Sequence, residues 1–213
     1  MSRFLAASCS VTHASDPLRP PPVTDALARV RAATAARHER LDSALPVARA
    51  GAGMREYRAH LRLLRDWLLP MQAWERNFDD GPQDPHRLPR SERLRWLLDD
   101  LDELGECTRA STTASQWPAR ATPAWRWGVA YVVEGSQLGA RVLLARLQPH
   151  LGEHRPRLLA GGGSERAGVR WRNFLQAFAI SVEGDDATDD ACEGAQHAFE
   201  QVARLAGLEA AAA

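Results

Sequence analysis

Residues 125–147, WRWGVAYVVEGSQLGARVLLARL, constrain this chain more than any other stretch. Val129, Val132, Val133, Leu138, Val142, Leu143 and Leu147 recur at helical spacing and predict a buried helix. Gly135 and Gly139 interrupt it, and glycine in a helix interior costs about 1 kcal/mol relative to alanine. Four residues apart, the two share one face, one turn above the other. A face without side chains lets the backbone approach something flat, kink around it, or meet the backbone of another helix. Spacing alone leaves those options open.

The rest of the chain reads as helix too. Residues 25–45, DALARVRAATAARHERLDSAL, form an amphipathic segment opened by Thr24 as N-cap. A second helix is expected near 54–79, with Pro70 kinking or breaking it, and a third from Ser91 to about 104. Residues 105–121 carry no clear pattern. Thr122-Pro123 places an N-cap and an N1 proline before the glycine-bearing helix, which is expected to run to Pro149 or Gly152. Gly161, Gly162 and Gly163 mark a turn before a helix at 165–182, and Thr188 is expected to cap the last one, ending near Gly207. No strand pattern competes, so the expectation is an all-α, single-domain bundle over 23–207. Residues 1–22, ending in PLRPPP, read as a disordered tail, and 208–213 as a C-terminal one.

The first helix carries the chemistry. Its apolar stripe runs Leu27, Val30, Thr34, His38, Leu41, Leu45, with His38 at the centre. Arg31 lies two turns upstream on nearly the same face, about 10 Å along the axis. Asp42 lies one turn downstream, able to reach an imidazole N–H. A histidine in such a stripe is either a satisfied core residue or a ligand. With a carboxylate to set its tautomer and a cation nearby, it would suit a metalloporphyrin with acidic side arms.

Charge and cysteine usage narrow the partners. The 27 basic and 27 acidic residues balance, leaving no excess to neutralise nucleic-acid phosphates. Cys9, Cys107 and Cys192 are scattered without metal-type spacing, which fits a reducing compartment. No stretch approaches the roughly 20 apolar residues of a membrane span, and the N-terminal FLAAS run is too short for a signal core. The expectation is a cytoplasmic protein that does not insert in membranes.

Together the two segments resemble the heme oxygenase family. RAATAARHERLDSAL resembles its first helix, in which an Ala/Thr-rich run leads to the iron-ligating histidine, and YVVEGSQLGA resembles the bacterial form of its distal helix. YRAHLRLLRDWLLPMQAWERNF is similar to its second helix in hydrophobic pattern. The resemblance implies heme held between the first helix and a glycine-kinked distal helix. It implies His38 as the proximal iron ligand, Asp42 as its hydrogen-bond partner, and Arg31 and Arg172 as partners of the heme propionates. Gly135, Ser136 and Gly139 would form the distal, catalytic wall, and Tyr131 would sit either at the heme edge or in ordinary packing. Animal members carry Asp where this chain has Ser136, and many members carry Glu where it has Asp42.

The implied activity is oxidative cleavage of heme to biliverdin, carbon monoxide and iron, with heme as both cofactor and substrate and O2 as co-substrate. No flavin or nicotinamide fingerprint is present, so electrons would come from a separate ferredoxin or flavoprotein reductase. Two alternatives remain from the sequence. One is a heme carrier or sensor without turnover. The other is a di-iron enzyme, although Glu56/His60 and Glu193/His197 are spaced by four residues rather than the three such sites use.

Overall fold

The computed structural model describes residues 24–112, 114–161 and 164–208. Eight α-helices are found among them: α1 (Asp25–Ala44), α2 (Met54–Glu75), α3 (Arg93–Glu103), α4 (Pro123–Gly135), α5 (Ala140–Leu147), α6 (Arg157–Ala160), α7 (Ser164–Ser181) and α8 (Asp185–Leu205). There is no strand among the described residues, as the periodicity predicts. The expected tail at 1–22 lies outside them.

Helix starts follow the capping chemistry where a side chain supplies it. The Thr24 hydroxyl accepts from Leu27 N–H at 3.2 Å, and the Thr122 hydroxyl accepts from Trp125 N–H at 3.1 Å with Pro123 at N1. The last helix departs from expectation. It begins at Asp185 after Gly184, whose φ of +80° suits glycine, and Thr188 lies within its first turn, donating to the Gly184 carbonyl at 2.7 Å. The acidic Asp185 and Asp186 take over at the positive end of the helix dipole.

Pro70 does not end α2. Its ring nitrogen leaves the Asp66 carbonyl without a helical donor, and Ser115 N–H fills that place at 2.9 Å. The Ser115 hydroxyl donates to the next carbonyl, Trp67, at 2.8 Å. Asp66 also accepts from the amide and hydroxyl of Ser111, each at 2.9 Å, and Arg65 donates to the Cys107 carbonyl at 2.6 Å. One turn of α2 therefore holds the long connection between α3 and α4.

The core centres on α8, which packs against α1, α2 and α4. Ala191, Gly194, Ala195 and Ala198 form a buried stripe of small residues on it. Against α4 the backbones almost touch. A Cβ built on Gly128 would overlap the Ala191 carbonyl oxygen, and one built on Gly194 would overlap the Trp125 carbonyl oxygen. Leu27, Val30, Thr34 and Leu41 of α1 are buried as the stripe predicts, and α2 contributes Tyr57, Leu61, Leu64, Trp67 and Leu68.

The glycine-bearing segment is not one helix. α4 stops at Gly135, residues 136–139 form a turn, and α5 resumes at Ala140. Leu138 and Val142, expected in the buried stripe, are 43% and 53% exposed because the break rotates them off the core.

Candidate functional site

His38 sits near the C-terminal end of α1 with its side chain 62% exposed, so it is no core residue despite its place in the stripe. Its Nδ1 lies 3.0 Å from Asp42 Oδ2 one turn on, and its ring meets Phe199 of α8 edge-on at 5.9 Å. Asp42 thereby favours the Nδ1–H tautomer and leaves the Nε2 lone pair outward, with no protein partner among the described residues. Packing fixes the ring on one side only.

Arg31 and Tyr131 bring α1 and α4 together. The half-buried Tyr131 phenol is pushed up by burial, with Arg31 and Thr34 beside it opposing the shift. Tyr131 packs on Trp171 and Phe178 of α7, at centroid distances of 5.6 and 6.4 Å. Tyr131 therefore packs on α7 while also bordering Arg31. Arg172 follows Trp171 on α7 and is half-buried. Neither Arg31 nor Arg172 has a carboxylate partner among the described residues.

The glycines separate into two kinds. A Cβ on Gly135 would meet only the Trp171 ring, at 3.6 Å, and a Cβ on Gly139 would meet nothing nearer than the Ser136 carbonyl at 4.0 Å. These are ordinary contacts or open space. No neighbouring helix explains the absence of side chains there, in contrast to Gly128 and Gly194. Of the four exposed large hydrophobics among the described residues, Leu138, Val142 and Val169 belong to the turn, α5 and α7, the segments that flank these glycines.

Ser136 is engaged on the opposite side. Its hydroxyl donates to the Val133 carbonyl and accepts from Arg93 Nη1, both at 2.7 Å. A cavity of about 320 Å³ lies behind α4, lined by residues including Met71, Glu75, Leu94, Val133 and Arg170, and holds none of the sequence-predicted site residues. Neither Gly135 nor Gly139 lines it; the space beside Gly139 is open and that beside Gly135 is bounded by the Trp171 ring.

An uncovered imidazole, bare backbone, exposed apolar side chains and two arginines without a carboxylate partner among the described residues suit a flat apolar group with acidic arms and a ligand-seeking metal. A family model described as heme oxygenase matches residues 24–206. The chain belongs to the heme oxygenase family. A heme oxygenase of Xanthomonas campestris pv. campestris (strain 8004) is 33% identical over 139 residues, spanning 64% of this chain and 73% of that protein. The NO- and CO-bound heme oxygenase of Neisseria meningitidis has a similar fold, with a TM-score of 0.67 and 26% identity, covering 90% of this chain and 96% of that one. This heme oxygenase thus has the expected all-α fold, and heme binding goes with the family. No helix among the described residues is long and apolar enough to cross a membrane.

Among the described residues no group of three or more His, Cys, Asp or Glu side chains could hold a metal ion, so the di-iron alternative finds no site there. Glu56 instead accepts from Gly53 N–H at 3.0 Å and is held down to about 2 by that bond first and by Arg55 next. His197 packs against Trp117 and Trp125. Sequence reading did not single out Gly128, Gly194 or Arg93. A glycine inside a helical run was the available signal for the first two; a buried arginine has none.

Proposed function

We propose that this heme oxygenase cleaves heme to biliverdin, carbon monoxide and iron, with His38 as the proximal ligand and residues 135–139 as the distal wall. One observation supports the assignment of the wall: a Cβ on Gly139 would meet open space and one on Gly135 only ordinary contact with Trp171, whereas the helix-packing Gly128 and Gly194 are closed by backbone. Bound heme supplies both the iron at which O2 is activated and the porphyrin edge that is oxidised.

The protein supplies orientation. Asp42 holds the His38 Nδ1 proton, so that Nε2 presents its lone pair to iron. Through Nε2, His38 would offer the iron a nitrogen ligand with less electron push than a thiolate. Arg31 and Arg172 pair with the propionates and fix the rotation of the ring, with Tyr131 beside Arg31 at that edge. Gly135 and Gly139 keep the distal backbone close while leaving space for O2. Ser136, bonded away from the cleft, keeps the turn in place. A separate ferredoxin or flavoprotein reductase delivers the electrons in the cytoplasm.

Aerobic incubation of the heme complex with a reductant tests this. Loss of the Soret band with growth of a biliverdin spectrum is expected. A heme complex that keeps its Soret band under those conditions would instead mark a carrier or sensor.

A further inference from the structure

The cavity behind α4 is bounded by the C-terminal half of α2, segment 82–91, the start of α3, and the parts of α4 and α7 that carry Glu134 and Arg170. Its volume of about 320 Å³ falls in the range of small-molecule sites. Leu68, Met71, Leu88 and Leu94 give it buried apolar walls. Arg76, Pro89 and Arg90 line it as well and are exposed, so that side meets solvent.

The charges around it do not balance. Arg76, Arg90, Arg93 and Arg170 line it with only two carboxyl groups, Glu75 and Glu134. Arg170 occupies Glu134, donating to its two oxygens at 2.6 and 2.5 Å. Buried Arg93 uses only Nη1, on the Val133 carbonyl and the Ser136 hydroxyl. Its other nitrogens have no acceptor among the described residues, and Arg90 has no ion pair or side-chain hydrogen bond among them. A buried charge left without a counter-ion is costly.

Glu75 completes the polar lining. Its Oε1 accepts from Gln83 at 3.3 Å, and its Oε2 has no donor among the described residues. Burial, reinforced by Glu134, pushes the carboxyl up to about 7, while Gln83, Arg126 and Arg90 oppose the shift. Arg126 is itself bonded to Asp80 and Gln83, whereas Arg90 lies near enough to act on Glu75 and has its donors unused. Below that point Glu75 is an O–H donor, and Arg76, Arg90 and Arg93 then face the cavity with no carboxylate to offset them. A cation is disfavoured there, and a neutral apolar guest would leave the charges unpaired. An anion with an apolar body satisfies both walls and charges.

We propose that this cavity is a second ligand site, for a small carboxylate with an apolar body, whose head group lies between Arg90 and the Glu75 carboxyl and whose body lies on Met71 and the leucines. Arg90 supplies a charge-assisted bond, the Glu75 O–H donates to the same head group, and Arg93 adds its positive charge from the buried side. Ionised Glu75 would repel the ligand, so affinity falls as pH rises through 7. The arginines keep their charge over that range, and no histidine lines the cavity among the described residues. None of this rests on the heme reading.

Methionine-methyl NMR tests it, with 2-naphthoate as the probe. Of the three methionines, Met1, Met54 and Met71, Met71 alone is among the residues described as lining the cavity. At pH 6 the probe should show Overhauser contacts to the Met71 methyl and none to Met54. Titration of that methyl should give an affinity about tenfold lower at pH 8 than at pH 6. Glu75→Gln, a neutral donor at both pH values, should remove this slope and keep the pH 6 affinity. Arg90→Ala should weaken binding severalfold, and 2-naphthylmethylammonium, the cation with the same body, should bind far more weakly than naphthoate. Absent Met71 contacts, a cation bound as tightly as the anion, a flat pH profile in the wild type, or an unchanged slope in Glu75→Gln would each overturn the site. Naphthoate contacts that lie elsewhere and vanish when heme is added would overturn it too, while leaving the heme reading untouched.

Discussion

Gly128 of α4 and Gly194 of α8 bring their two helices together so closely that a methyl group on either would overlap the backbone of the other helix. Overpacking of this kind cannot be relieved by a rotamer change, because the obstructing atoms are carbonyl groups. Gly128→Ala and Gly194→Ala should each lower stability by about 3 kcal/mol, at the upper end of the usual overpacking cost. Gly135→Ala should cost less than about 1 kcal/mol, since its Cβ finds ordinary contact distance. Chemical denaturation of the heme-free variants checks the ordering.

Gly139→Leu separates packing from ligand space. The position opens on no neighbouring helix, so the heme-free melting temperature should hold or rise. Heme affinity or single-turnover rate should fall severalfold. A destabilised variant whose folded fraction degrades heme normally would show that packing explains this glycine after all.

His38→Ala should abolish the nitrogen-ligand signature in the heme spectrum and most of the turnover, because among the described residues no other histidine on an α-helix combines an exposed ring with a carboxylate bonded to it one turn away. Added imidazole should restore part of both. Asp42→Asn should retain ligation with a weakened iron–histidine bond, visible as a lowered stretching frequency by resonance Raman. An unchanged spectrum in His38→Ala would move the ligand elsewhere.

Arg31→Ala should weaken heme binding by about tenfold, at the lower end of the range for a charge-assisted bond because the side chain is exposed. The biliverdin isomer mixture should broaden as the ring loses one anchor. Heme titration and product chromatography read the two effects.

Glu75 gives the fold a pH dependence of its own. Burial pushes its carboxyl up to about 7, although Gln83 donates to it at 3.3 Å. The folded form therefore keeps a proton that the unfolded chain releases near its ordinary value of 4.5. Stability from this group is fully present below pH 4.5 and lost as pH rises through 7. Glu75→Gln should be more stable than wild type by about 3 kcal/mol at pH 8, and by less than about 0.5 kcal/mol at pH 4.5. Denaturant melts at the two pH values measure the gap.

The helices were legible because their apolar residues repeat at helical spacing and because Thr24, Thr122 and Pro123 announce their starts. Near the N-terminus of α8, Thr188 misled, since a threonine in the first turn and one at the cap look alike until Gly184 is seen to supply the left-handed entry. His38, Arg31, Asp42 and the two glycines stand on local spacing within single helices, which sequence carries. The exposure of His38 was not legible: a stripe position inside the bundle and one at the edge of a cleft share the same periodicity. Arg93 becomes a partner of the turn only through tertiary packing, and no spacing in the chain relates 93 to 136.

The bonds from Arg65, Asp66 and Trp67 to the connection between α3 and α4 tie that segment to the fate of a helix distant in sequence. The Ser111 and Ser115 amides cannot exchange with solvent while that turn of α2 stands, so their protection should match that of the helix rather than of a surface loop. A proline that would elsewhere weaken a helix has here merged two stretches of chain into one cooperative opening unit.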